Sequence, residues 1–218
     1  GGWKLGTPIQ FYRECAYYAS KGMVAVSVDY RIGYLHHSTP FESFEDAKDA
    51  ICWLRSHASD YQLDPDKIAV AGGSAGGHLA AALGTIGSDE TVPAGYRPNL
   101  SVLYYPVIDM VSRGYGFPEI KRDFEKISPI HHVSEATPST LILLGTKDPI
   151  VSVETIEAYQ DKLLQKGVDC ELHLFEGAGH PIFLYRKPLT EEYYKVRKLT
   201  DDFLKRQGLS LIHISEPT

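Results

Sequence analysis

The feature that most limits what this chain can fold into is Gly72-Gly73-Ser74-Ala75-Gly76-Gly77. It follows directly on the apolar run Lys67 to Gly72 and leads straight into His78-Leu79-Ala80-Ala81-Ala82-Leu83. A β-branched run, a glycine-rich turn and an alanine-rich helix in immediate succession predict a strand that reverses sharply into a helix. Such a turn crowds two backbones together, which the flanking glycines permit, and it leaves the serine standing out from the sheet. A phosphate-binding glycine-rich turn or a plain helix start is the competing reading of the same residues.

The rest of the chain supplies the setting such a turn needs. Met23 to Asp29, Leu100 to Pro106, Thr140 to Gly145 and Cys170 to Phe175 are further short apolar runs of strand type. Ser43 to His57 carries Phe44, Ala47, Ile51 and Leu54 at helical spacing, and Val153 to Lys166 does the same with Ile156, Tyr159, Leu163 and Leu164. Strand and helix in alternation predict an α/β fold with a mostly parallel sheet and helices on both faces, because parallel neighbours need a crossover connection. At 218 residues one domain is expected. The least regular stretch, Asp109 to His132, reads as a short excursion above the sheet, either a solvated loop or a cap facing the substrate.

A serine nucleophile needs a base, and the base needs a group to orient it. Asp148 follows the strand Thr140 to Gly145, at the carboxyl end where open parallel sheets place their sites. His180 closes the turn Glu176-Gly177-Ala178-Gly179 after the strand Cys170 to Phe175. Ser74, Asp148 and His180 thus follow one another in the chain order of a strand-turn-helix serine hydrolase. Asp109 is the rival acid, since it too follows a strand. The chain has nine histidines, and only His180 combines strand, turn and order. His36, His37, His131 and His132 fall in loops, and His57 and His78 on helices, where a structural role is the ordinary reading.

Composition excludes several alternatives. A net charge of -6 argues against a surface built to neutralise nucleic acid or anionic lipid, so no nucleic acid partner is expected. No run approaches the roughly 18 apolar residues of a membrane span. Cys15, Cys52 and Cys170 lack the close spacing of a zinc set and read as packing residues, so no metal and no cofactor is expected.

Gly1-Gly2-Trp3, Asp29-Tyr30-Arg31 after a strand, and Asp64-Pro65-Asp66-Lys67-Ile68 before the turn resemble the His-Gly-Gly-Gly-Trp and Asp-Tyr-Arg blocks and surroundings of hormone-sensitive-lipase-like esterases and of the related acetyl and feruloyl (BD-FAE-like) esterases. The resemblance runs from Gly1 to about Gln207. It implies the α/β-hydrolase fold, with Ser74, Asp148 and His180 as the catalytic triad. It also implies an oxyanion hole of backbone N–H groups from Gly1 or Gly2 together with Ala75. Because the histidine of the glycine block precedes Gly1, the family pattern places the first strands of the fold outside this chain. With the family's strand order of 1-2-4-3-5-6-7-8, a slot is then expected between Met23 to Asp29 and Lys67 to Gly72. Residues 1–208 form the hydrolase domain in this reading, and 209–218, LSLIHISEPT, form a tail foreign to the fold.

The expected function is hydrolysis of a small carboxylic ester through an acyl-enzyme, on short-chain or acetyl esters, with those of carbohydrates among the candidates. A peptidase of the prolyl-oligopeptidase type shares the turn, acid and histidine. A non-catalytic binding protein on the same scaffold is the alternative from another class. The sequence leaves localisation, oligomeric state and the acyl and alcohol groups open.

Overall fold

The computed structural model describes residues 1–87, 94–110, 120, 123–185 and 189–209. Its centre is a sheet of four parallel strands in sequential order, β1 (Ala69–Gly73), β2 (Leu100–Tyr104), β3 (Ser139–Gly145) and β4 (Cys170–Phe175). Because all four run the same way, Gly73, Tyr104, Gly145 and Phe175 end at one edge of the sheet, and the loops that follow them share that edge. Leu141, Ile142, Leu143 and Leu144 are fully buried, which accounts for the unbroken apolar run of β3: a parallel strand covered on both faces has no polar side.

The helices are α1 (Tyr12–Ser20), α2 (Gly33–His36), α3 (Pro40–Ser56), α4 (Ala75–Thr85), α5 (Phe124–Ile127), α6 (Val153–Gln165) and α7 (Glu191–Arg206). Helix α3 starts earlier than its apolar spacing suggests. Pro40 opens its first turn, and Thr39 and Glu42 close a capping box, with the Glu42 carboxylate 2.7 Å from the Thr39 backbone N–H. Ser152 and Thr190 cap α6 and α7 in the same manner, each accepting a bond from a first-turn N–H.

Helices lie on both faces of the sheet, as expected. The Ser101 side of β2 meets α4, where a Cβ on Gly84 would come within 3.2 Å of the Ser101 hydroxyl. Tyr104, three residues on and so on the other face, has its hydroxyl 3.2 Å from Thr200 on α7. Helix α1 packs on α7 through Glu14, whose carboxylate accepts from the Tyr193 hydroxyl at 2.6 Å, and through a Tyr17 to Asp201 hydrogen bond.

One expected strand is absent. Met23 to Asp29 takes no regular secondary structure, and Val24 and Val26 are about half exposed, at 47% and 51%. A strand exists only through a ladder to a neighbour, and among the described residues β1 pairs with β2 alone. Of the excursion expected over Asp109 to His132, residues 111–119 and 121–122 lie outside the described residues. Its two ends are pinned together, with Met110 N–H donating to Ser128 Oγ at 2.9 Å and Ile130 N–H to the Ile108 carbonyl at 3.1 Å. The expected tail, 209–218, lies outside the described residues except for Leu209.

Candidate active site

Ser74 occupies the single residue between the end of β1 and the start of α4. Its backbone holds φ 55° and ψ -118°, a conformation that non-glycine residues seldom adopt. The turn is tight enough that a Cβ on Gly72 would stand 2.2 Å from the Gly76 carbonyl oxygen, so glycine is required there. The Ser74 N–H donates to the Tyr104 carbonyl at 3.0 Å, extending the ladder into the turn and fixing the serine at the carboxyl edge of the sheet.

Two other loops from that edge converge on it. The Ser74 hydroxyl lies 2.8 Å from His180 Nε2, and His180 Nδ1 lies 2.6 Å from Asp148 Oδ2. An ionised carboxylate can only accept, so Nδ1 carries the imidazole proton and the Nε2 lone pair faces Ser74. The other Asp148 oxygen accepts from the Ile150 and Val151 N–H groups at 2.8 and 3.0 Å. The Asp148 side chain is fully buried, while that of His180 is 14% exposed. The acid and histidine loops are tied directly: Lys147 N–H donates to the Ala178 carbonyl at 2.9 Å, and Gly177 N–H to Thr146 Oγ1 at 2.8 Å.

The rival acid stands elsewhere. Asp109 has its carboxylate 3.9 Å from His131 Nε2. Three other described histidines make structural contacts. His36 Nδ1 accepts from the Ile32 N–H, His57 stacks on Trp53, and His132 bonds the Glu125 carbonyl.

His78 has a larger role than its place on a helix suggests. One turn behind Ser74 and wholly buried, it accepts at Nδ1 from Trp3 Nε1 at 3.2 Å and bonds the Ile127 carbonyl through Nε2 at 2.7 Å. Burial holds its pKa down to about 4, against a smaller upward pull from the Ile127 bond, so the ring is neutral at ordinary pH. It thereby fastens the Gly1-Gly2-Trp3 block and the later part of the excursion to the helix that follows Ser74. No local signal in the sequence marks this role, because Trp3 and Ile127 reach His78 only through folding.

Of the three residues expected in an oxyanion hole, Ala75 is buried at the first position of α4, where helix N–H groups have no intrahelical acceptor. Gly2 is buried with φ 64°, beside the Trp3 that His78 holds. Gly1 is exposed.

Among the described residues no cluster of His, Cys, Asp and Glu could hold a metal ion, and no helix is long and apolar enough to cross a membrane. The cysteines are free. Cys170 is buried, Cys15 half-buried and Cys52 exposed, so packing does not account for Cys52. A cleft of about 400 Å³ lined by Arg55, Asp66, Arg97, Asn99 and Pro138 lies at the opposite edge of the sheet, before the strands begin. There the Arg55 guanidinium brackets loops by donating to the carbonyls of Pro65, Gly95 and Arg97.

The BD-FAE family profile matches residues 1–120. Esterase LipC of Mycobacterium tuberculosis is 30% identical over 83% of this chain and 50% of its own length. An acetylxylan esterase of Xylanibacter ruminicola is 25% identical over 78% of this chain and 36% of its own length. The chain thus spans half or less of the length of these curated relatives. The thermophilic esterase Est2 of Thermogutta terrifontis superposes with a TM-score of 0.89 at 34% identity, over 100% of this chain and 81% of its own. The same esterase is also known in a form phosphorylated by paraoxon, 35% identical with a TM-score of 0.88 over 100% of this chain and 82% of its own.

Proposed function

This chain belongs to the BD-FAE family and has the α/β-hydrolase fold, and from that premise we propose that it is the catalytic part of a serine carboxylic-ester hydrolase. The observation that carries the reading is the continuous Asp148, His180 and Ser74 chain at 2.6 and 2.8 Å, mounted on a strained turn that holds the hydroxyl out from the sheet.

In this reading Ser74 Oγ attacks the ester carbonyl carbon while His180 Nε2 takes the hydroxyl proton. Asp148 keeps the proton on Nδ1 and stabilises the imidazolium that forms. The carbonyl oxygen becomes an oxyanion held by the N–H groups of Ala75 and Gly2. Collapse of the tetrahedral adduct breaks the bond to the alcohol oxygen, which takes the proton from His180 and leaves. Water then attacks the acyl-serine by the same route, giving its proton to His180 and returning Ser74 and a carboxylic acid. None of these steps calls on a metal or an organic cofactor.

The substrate class follows from the relatives more than from the chain. Similarity to an acetylxylan esterase favours a short acyl group, acetyl first, with a carbohydrate among the candidate alcohols. The test is hydrolysis of p-nitrophenyl acetate, butyrate and octanoate beside acetylated xylan and a prolyl p-nitroanilide. The reading expects turnover to fall with acyl length and the anilide to be left intact. Cleavage of the anilide in preference to every ester would replace it with the peptidase alternative.

A further inference from the structure

Tyr105, the residue directly after β2, is held in a costly conformation at the candidate site. Its φ is 39°, in the left-handed region where a bulky aromatic residue is rarely found. Surroundings that keep such a residue must hold it from several sides, and strain of this kind collects where geometry matters to function. Here the holding contacts are explicit. The backbone N–H donates to the Leu143 carbonyl of β3 at 2.7 Å, and the side chain is 3% exposed.

The strained backbone aims the ring between the nucleophile turn and the histidine loop. Its centroid lies 4.8 Å from that of the His180 imidazole with the planes at 64°, an edge contact. The hydroxyl donates to the Phe183 carbonyl at 3.3 Å, three residues beyond His180. Burial pushes this hydroxyl's pKa up, so it stays protonated and remains a donor. On the other side a Cβ at Gly73 would stand 2.6 Å from the Tyr105 hydroxyl oxygen, so the glycine before the nucleophile leaves the room that the ring occupies. One side chain therefore touches the residue preceding Ser74, the ring of the base and the backbone beyond it.

The remaining ties on the histidine loop lie on its other flank. They join Lys147 to Ala178 and Thr146 to Gly177, before His180 in the chain. After His180 the turn is closed by Ile182 N–H donating to the His180 carbonyl at 3.0 Å, and by the Tyr105 hydroxyl on Phe183. On the reading that Ser74 and His180 are nucleophile and base, we infer that Tyr105 is a positioning residue: its ring and hydroxyl hold the His180 imidazole in register with Ser74.

The role is separable from mere folding because the ring and the backbone strain can be removed independently. Tyr105→Phe keeps the ring and loses the hydroxyl. Tyr105→Asn removes the ring but tolerates the left-handed backbone. Wild type, both variants and Ser74→Ala are compared in p-nitrophenyl acetate hydrolysis, thermal melting and the low-field proton NMR signal of the His180 Nδ1–H bonded to Asp148. A displacement of about 1 Å in a reacting group costs about 100-fold in rate, so Tyr105→Asn is expected to lose about that much in kcat. Its KM should stay within about twofold, since the ring binds no substrate, and its Nδ1–H signal should broaden at a temperature where the protein is folded. Tyr105→Phe should restore a sharp signal and bring kcat to within about tenfold of wild type. Wild-type kcat and a sharp Nδ1–H signal in folded Tyr105→Asn would overturn the positioning role. Should Tyr105→Asn not fold, Tyr105→Phe still tests the hydroxyl's part, and a kcat and Nδ1–H signal identical to wild type would overturn it. Equal activity in Ser74→Ala and wild type would instead overturn the hydrolase reading on which this role rests.

Discussion

At the scale of single residues, the site is defined by who holds whom. Ser74, His180 and Asp148 act as one unit in the proposed reaction, so losing one costs nearly as much as losing all. Ser74→Ala is expected to abolish turnover and His180→Ala to come close to it, with the double variant no worse than Ser74→Ala. Asp148→Asn should cost about 10,000-fold in kcat, since an amide in place of the carboxylate favours the wrong imidazole tautomer. Asp109→Asn, with its partner at His131, should stay within about threefold of wild type, as substitutions remote from the reacting groups do. Steady-state kinetics on the five variants check all of this, and a larger loss in Asp109→Asn than in Asp148→Asn contradicts it. The three residues were legible in the sequence because each is announced locally, by a glycine-rich turn after a strand or by chain order. Tyr105 and His78 were not. Nothing in the local pattern marks Tyr105, directly after β2, as a neighbour of His180, five residues beyond β4, because the contact is made by folding.

At the scale of elements, α4 is more than the helix behind the nucleophile. Through His78 it holds Trp3 and Ile127, and this bond network has a pH signature. The folded-state pKa of His78 is about 4, below the value of about 6.5 expected in the unfolded chain. Between those values the unfolded chain binds the extra proton, so this contribution is fully present above pH 6.5, falls as pH drops toward 4 and levels off below it. The gap corresponds to about 3 kcal/mol. His78→Asn keeps an acceptor within reach of Trp3 but cannot titrate, so its stability deficit against wild type at pH 7 should narrow by about that amount at pH 4. Urea unfolding of both proteins at the two pH values measures it, and a deficit that is constant with pH contradicts the buried neutral imidazole. Elements also mark where sequence pattern gave out. Lys67 to Gly72, Leu100 to Pro106, Thr140 to Gly145 and Cys170 to Phe175 all correspond to observed strands, within a shift of two residues at either end. Met23 to Asp29 has the same β-branched composition and is not a strand, because composition marks the candidate whereas a ladder partner makes the strand.

At the scale of the molecule, the parallel sheet explains why residues 74, 148 and 180 meet at all: three strands deliver their following loops to one edge. The same sheet leaves β1 with a single neighbour among the described residues, while Ile9, Val24 and Val26 are exposed at 65%, 47% and 51%. Free strand edges and exposed apolar side chains favour association between copies, so light scattering should rise with concentration. The double variant Val24→Lys, Val26→Lys should lower it with little change in melting temperature, and unchanged scattering would show that this surface is not responsible. The central claim, that Ser74 is a nucleophile activated by His180, has a more direct test. Paraoxon phosphorylates the similar thermophilic esterase, and it reports nucleophilicity without requiring deacylation. Treatment of this chain should release one equivalent of p-nitrophenolate and add the mass of one diethylphosphoryl group. Peptide mapping should place that group on Ser74, and neither Ser74→Ala nor His180→Ala should be modified at a comparable rate. Equal labelling of Ser74→Ala, or a label found on any other residue of the wild-type protein, would contradict the account.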